Sequence, residues 1–340
     1  MTEVAERPRP RVDSSRLQDL ALSYWKSAAL MSAVDLGVFS HVSGGAGTVE
    51  ELAEVAGISS RNAERLVTVL RAMDLLHLDQ GRLRNAADAE RFLVQGERNY
   101  AGPWIQFTRP RWPEWGRLTE HLQSREETVL SADMTAMTVE RARSYHQATY
   151  SIGMGAGHRF AKHVDLSGRR QLLDLGGGSG AYSIVATRKF PGLRATVLDL
   201  PAVVEVTREF VAAAGAQERV DTLAGDFTST EFPSADVVLM ASNLPQYSSE
   251  IIGTVVAKAF AALEPGGEMH LIGEMLAADG VGPLGPALWG LAEAVAHTTG
   301  RAHSESECVG YFRRAGFERV HADPFVAGTL TRVSGFKPRR

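Results

Sequence analysis

The chain has 340 residues, 44% of them hydrophobic and 22% charged, with a formal net charge of −4. That balance is ordinary for a soluble globular protein with room for two domains, and it gives no general attraction to nucleic acid or to an anionic membrane. The lone Cys308 excludes an intrachain disulfide and a cysteine-based zinc site, so a reducing cytoplasm is the expected setting; no secretory signal or bilayer-length apolar run is read.

Residues 1 to about 13 are polar and proline-bearing and are expected to form a mobile arm. From 14 to about 100 the pattern is helical. Ser15 to Val38 carries apolar residues at helical spacing, and Thr48 to Leu76 reads as two or three short helices broken at Gly57. Thr48 and Glu51 have the spacing of a capping box. The following HLDQGRLRN has the form of a two-stranded wing, which completes a winged-helix pattern and opens the reading of a DNA-binding regulator. Against it, the second helix is only mildly basic and the chain is acidic overall.

Residues 101–165 link this region to the rest. The stretch holds Trp104, Phe107, Trp112 and Trp115, which either pack domains together or wall a pocket for a flat aromatic acceptor. Tyr145, His146, Thr149, Tyr150 and Met154 then fall on one apparent helix.

Residues 166–340 open on QLLDLGGGSG, an apolar strand running through Asp174 into a glycine loop and a helix. Gly176, Gly178 and Gly180 allow positive φ and a close approach of ligand to backbone at a helix start. The spacing D-x-G-x-G-x-G is neither a dinucleotide fingerprint nor a P-loop, and with no basic residue nearby it suits a neutral or cationic ligand, with Asp174 as a possible counter-charge. A second strand ends at Asp199, 25 positions on, where an acid can accept both hydroxyls of a ribose. A third ends at Asp226 and Phe227, suited to an adenine amino group and ring. Three acids at successive strand ends point to a nucleoside ligand.

These segments, with VLDLP, AGDF, LEPGGEMHLIGEML and YFRRAGF, resemble the class I S-adenosylmethionine-dependent methyltransferases, and over nearly the whole chain the small-molecule O-methyltransferases of plant phenolic and bacterial polyketide metabolism. The resemblance implies a helical, winged-helix-like dimerisation domain followed by a seven-stranded Rossmann-like α/β domain. It further implies a homodimer, an S-adenosyl-L-methionine cofactor and a small-molecule acceptor, with neither nucleic acid nor membrane as partner. The cofactor set it implies is Asp174, Gly176, Gly178, Gly180, Asp199, Leu200, Asp226, Phe227 and Ser242. The acceptor set is Trp104, Phe107, Tyr145, Thr149, Tyr150, Asn243 and His303.

One departure stands out. Where the family reads L-H-D-W-x-D-E, with histidine as the base, this chain reads Leu244 to Glu250 with Pro245 at the histidine position. Proline cannot take a proton and Gln246 does not titrate. Of the two supporting acids, Glu274 matches the first, whereas the second falls at about Ala302. The remaining candidates for a base are His146, His297 and His303, with Tyr247 and Glu274 as weaker ones; no close ligand spacing supports a metal. Loss of the base favours methylation of carbon or of an already acidic hydroxyl. The alternative is a protein that keeps the cofactor without transferring its methyl, for decarboxylation, hydroxylation or pericyclic chemistry.

Overall fold

The computed structural model describes residues 13–125 and 137–339, so the arm expected at the N-terminus lies outside the described residues except for Asp13. Packing divides the chain after Arg109 into two compact units.

The first unit is mainly helical. It runs α1 (Ser15–Asp35), α2 (Val38–Ser43), α3 (Val49–Val55), α4 (Ser60–Ala72), β1 (Leu76–Asp79), β2 (Arg82–Asn85), α5 (Ala87–Leu93) and α6 (Gly102–Gln106). α3 begins at the expected capping box: the Thr48 hydroxyl accepts from the Glu51 N–H, and the Glu51 carboxylate accepts from the Thr48 N–H. Two backbone donors that a helix start leaves unpaired are thereby satisfied. β1 and β2 form the expected hairpin, and its turn residues Gln80 and Gly81 both take positive φ, 49° and 78°, which suits the twist of the paired strands. Phe39, Leu52, Val67, Leu70, Leu76 and Leu83 close one apolar core. On α1, Leu17, Leu20, Tyr24 and Trp25 are left exposed.

The second unit begins with α7 (Trp112–Gly116), α8 (Leu118–Gln123) and α9 (Val139–His163), so residues 101–165 do not form a compact body of their own. Strands and helices then alternate through β3 (Gln171–Leu175), α10 (Ala181–Lys189), β4 (Arg194–Asp199), α11 (Pro201–Ala213), β5 (Val220–Ala224) and β6 (Ala235–Ala241). A single 3-10 turn at Leu244–Gln246 leads to α12 (Ser249–Ala262), β7 (Leu263–Gly273), β8 (Met275–Leu276) and α13 (Leu284–Val295). The chain closes with β9 (His303–Ser304), α14 (Glu305–Ala315), β10 (Glu318–Val326) and β11 (Leu330–Phe336).

Seven strands form one sheet in the order β10-β11-β7-β6-β3-β4-β5. β3 to β7 are parallel, and β11 runs antiparallel to both its neighbours. Helices on both faces explain why β6 is apolar almost throughout rather than alternating. The chain leaves β3 toward β4 and β5, then crosses back to β6 on the other side of β3. That reversal opens a crevice at the carboxyl ends of the strands, where open α/β sheets take ligands.

Candidate active site

The glycine loop lies at this crevice. Gly176, Gly178 and Gly180 have φ of 62°, 55° and 72°, in the left-handed region that side chains disfavour. Space is as restrictive as conformation. A Cβ at Gly176 would stand 2.5 Å from the Asn243 amide nitrogen, and one at Gly178 would overlap the His146 ring.

Hydrogen bonds fix the loop from below and from the sides. The Gly176 N–H donates to the Leu198 carbonyl (2.8 Å), the Asn243 amide to the carbonyls of Leu175 and Gly176 (both 3.2 Å), and the Thr207 hydroxyl to the Gly178 carbonyl (2.6 Å). Asp199, at the end of β4, takes the Gly178 N–H on Oδ2 and the Leu200 N–H on Oδ1, each at 2.8 Å. Each oxygen keeps a second lone pair, so the carboxylate is held in place with acceptor capacity to spare. Burial raises its pKa to about 6, against the two N–H bonds that pull it down.

Asp226 closes the turn after β5. Its Oδ1 accepts from the Thr228 N–H and hydroxyl, both at 2.8 Å. Phe227 is buried edge-on to Tyr247, with ring centroids 5.2 Å apart. One pocket is lined by Gly176, Asp199, Leu200, Val203, Gly225, Asp226 and Phe227 together with Met137, Tyr145, His146, Asn243, Gln246 and Tyr247. A cradle that any Cβ would fill, two strand-end carboxylates and a buried ring fit a cationic nucleoside such as S-adenosylmethionine.

Not every predicted residue reaches this pocket. Asp174 is wholly buried beneath the loop, against Gly177, and accepts from the Ser183 hydroxyl at 2.7 Å; burial pushes its pKa up to about 7. It shapes the loop and is not among the pocket-lining residues. Gly180 is the N-cap of α10, packed toward Val211 and Thr207, and Ser242 is exposed at a φ of 62° beyond β6. Thr149 folds its hydroxyl onto the Tyr145 carbonyl, and Tyr150 packs against Phe210. Trp104 and Phe107 stack on each other, 5.3 Å apart, in the first unit.

His303 is fully enclosed, with one ring nitrogen on the Tyr311 hydroxyl (3.0 Å) and the other on the Tyr247 carbonyl (2.9 Å). Both nitrogens are spent within the fold, which removes it as an acceptor contact or base. Pro245 is buried in the 3-10 turn, and Glu274 follows β7 at its carboxyl end, where burial raises its pKa. His146 lies against Gly178 and edge-on to Tyr145; burial lowers its pKa to about 4, so the ring is neutral.

Gln246 and Val203 line the pocket without having been singled out in the sequence. Val203 carries no chemical signal in the sequence, and Gln246 does not titrate, so neither residue type marks a site. Among the described residues no group of three potential ligands is placed to hold a metal ion, and no helix is long and apolar enough to cross a membrane.

The O-methyltransferase domain family matches residues 130–318, and the O-methyltransferase dimerisation domain family matches residues 18–95. The chain is 35% identical over 328 residues to 3-hydroxy-5-methyl-1-naphthoate 3-O-methyltransferase of Streptomyces sahachiroi, covering 94% of each chain. It is 30% identical to the tetracenomycin polyketide synthesis 8-O-methyl transferase TcmO of Streptomyces glaucescens, covering 94% of this chain and 96% of that one. It is also 30% identical to the N,N-dimethyltransferase OxyT of Streptomyces rimosus, covering 76% and 78%. The chain belongs to the family of S-adenosylmethionine-dependent O-methyltransferases.

Proposed function

We propose that this enzyme methylates a hydroxyl of a small aromatic, polyketide-like metabolite. The observation that carries the reading is the pocket at the strand ends, where the glycine cradle, Asp199, Asp226 and Phe227 meet Tyr145, His146 and Gln246. Similarity to the naphthoate and tetracenomycin enzymes supports an aromatic hydroxyl as acceptor. Carbon methylation, expected from Pro245, finds no support, because these relatives are O- and N-methyltransferases; the non-methylating and DNA-binding readings are not favoured either.

S-adenosylmethionine, when bound, supplies an electrophilic methyl group on a sulfonium. In our reading the protein's part is mainly placement. Asp199 accepts the ribose hydroxyls, Asp226 accepts from the adenine amino group, and Phe227 packs on its ring. The backbone at Gly176 and Gly178 lets the ligand approach without a side chain between. His146, neutral and apolar-faced, and Tyr145 wall the acceptor side, while the Gln246 amide can hold a substrate oxygen without exchanging its proton. Alignment of this kind contributes up to ~7–11 kcal/mol to lowering a barrier, whereas a base adds roughly 10²–10⁴-fold in rate.

Calorimetric titration with S-adenosylmethionine and S-adenosylhomocysteine, followed by mass analysis with a hydroxynaphthoate, tests the reading. The expected result is binding of both, with formation of S-adenosylhomocysteine and a methyl ether. A methyl group found on carbon, or binding without any methylated product across hydroxylated aromatic acceptors, would overturn it.

A further inference from the structure

Outside the pocket, three titratable side chains far apart in sequence are joined in a line. His121 Nε2 lies 3.1 Å from Glu114 Oε2, and His121 Nδ1 lies 2.9 Å from His297 Nε2. His121 is almost enclosed, with 9% of its side chain exposed, and its ring stands edge-on to that of His297. A carboxylate only accepts, so a neutral His121 carries its proton on Nε2 and presents a lone pair at Nδ1, and His297 then donates from Nε2. That leaves Nδ1 of His297 as the basic end of the chain, and it has no hydrogen-bond partner among the described residues. The same order of carboxylate, oriented imidazole and proton-accepting atom underlies base catalysis by histidine elsewhere.

The segment that carries His297 runs past the turn that lacks a base. α13 packs on both α8 and the 244–246 turn. Three residues beyond His297, Gly300 meets that turn so closely that a Cβ would overlap the Pro245 carbonyl oxygen and the Gln246 backbone. Gln246 and Tyr247, on the other side of this contact, line the pocket. His297 also occupies a position that helices ordinarily give to glycine. It follows α13 at a φ of 52°, its N–H donating to Ala294 and that of Thr298 to Glu293, the paired bonds of a left-handed C-terminal cap. Histidine stands there against the local backbone preference.

We propose that His297 takes the acceptor's hydroxyl proton in place of a base at position 245, with His121 and Glu114 as the residues that position it. The inference rests on the hydroxyl-acceptor reading above. As the new O–CH3 bond forms and the S–CH3 bond breaks, the O–H electron pair stays on oxygen and the proton passes to His297 Nδ1. The positive charge lost at sulfur reappears on the imidazolium, which faces Glu114 through His121. Among the described residues, the other charged groups around the relay are Arg117, 3.5 Å from Glu114 and bound to Glu120, and the buried Glu293 beside Thr298. His146 is less suited to the task, because burial of its ring works against the protonated form.

The parent protein, H297G and E114Q are compared with S-adenosylmethionine and 3-hydroxy-5-methyl-1-naphthoate. H297G places glycine where the backbone favours it, so its melting temperature should hold or rise. Calorimetric affinity for S-adenosylhomocysteine should stay within threefold, while kcat falls 10²–10⁴-fold. E114Q removes the carboxylate that fixes the tautomer and orientation of His121, so kcat should fall while KM and the affinity for S-adenosylhomocysteine hold. The shared protons should appear as downfield imidazole N–H signals in the proton NMR spectrum of the unliganded protein, lost in H297G. Undiminished turnover in H297G, an unchanged kcat in E114Q, or no such N–H signals in the parent would overturn the relay. If the parent binds S-adenosylhomocysteine but turns over no hydroxylated acceptor, the functional reading fails, and the relay as a base for the hydroxyl fails with it; intact N–H signals would then report a structural hydrogen-bond chain.

Discussion

Asp199, half-buried, and Asp174, fully buried, are both acids at strand ends beside one loop, yet they do different work. Asp199 holds two backbone N–H groups and still faces the pocket, so D199A should weaken S-adenosylmethionine binding at least tenfold by calorimetry; unchanged affinity would remove the ribose assignment. Its pKa of about 6 sets a window. On the proposed ribose assignment it is the ionised form that accepts the hydroxyls, so affinity should be full above that value and fall as pH drops through it, by up to about tenfold per unit. Asp174 faces inward, and burial raises its pKa from 3.8 to about 7. A raised carboxyl pKa means that its contribution to stability is complete below the unfolded value and is lost as pH rises through 7. D174N escapes that loss and can still accept from Ser183. Its gain in melting temperature should therefore be larger at pH 8 than at pH 5, and equal shifts at the two pH values would contradict the assignment.

At the level of elements, loops and helix ends carry the chemistry, and their sequences were largely readable. The capping box at Thr48 and Glu51, the hairpin at residues 76–85 and the glycine loop each follow from a local rule about backbone donors or positive φ. G178A should abolish cofactor binding in calorimetry while the protein still melts cooperatively. The substitution forces a side chain into a left-handed conformation, at about 1–2 kcal/mol, and drives its Cβ into His146. The segment after α13 was legible only in part. His297 could be named as a candidate, but its left-handed cap and its contact with His121, 176 positions away in sequence, depend on how α8 and α13 pack.

On the scale of the whole molecule, the first unit matches the O-methyltransferase dimerisation domain over residues 18–95. α1 leaves Leu20 and Trp25 each 57% exposed, an apolar surface that a monomer would present to water. We expect a particle of about twice the 36.8-kDa chain by light scattering, reduced to a monomer when Leu20 and Trp25 are both replaced by Asp. A dimer that survives both changes would place its interface elsewhere.

The sequence by itself determined the fold class, the family and the cofactor loop, because each rests on short-range rules. Each strand or helix, each glycine at positive φ and each acid at a strand end is marked by residues within its own short segment. Tertiary structure alone decided which side chains face the pocket. Burial turned Asp174 under its loop, enclosed His303 between Tyr311 and Tyr247, and set Gln246 into the lining. It also joined Glu114, His121 and His297. Facing and contact of this kind arise from the packing of helices distant in sequence, and no local pattern of residue types encodes them.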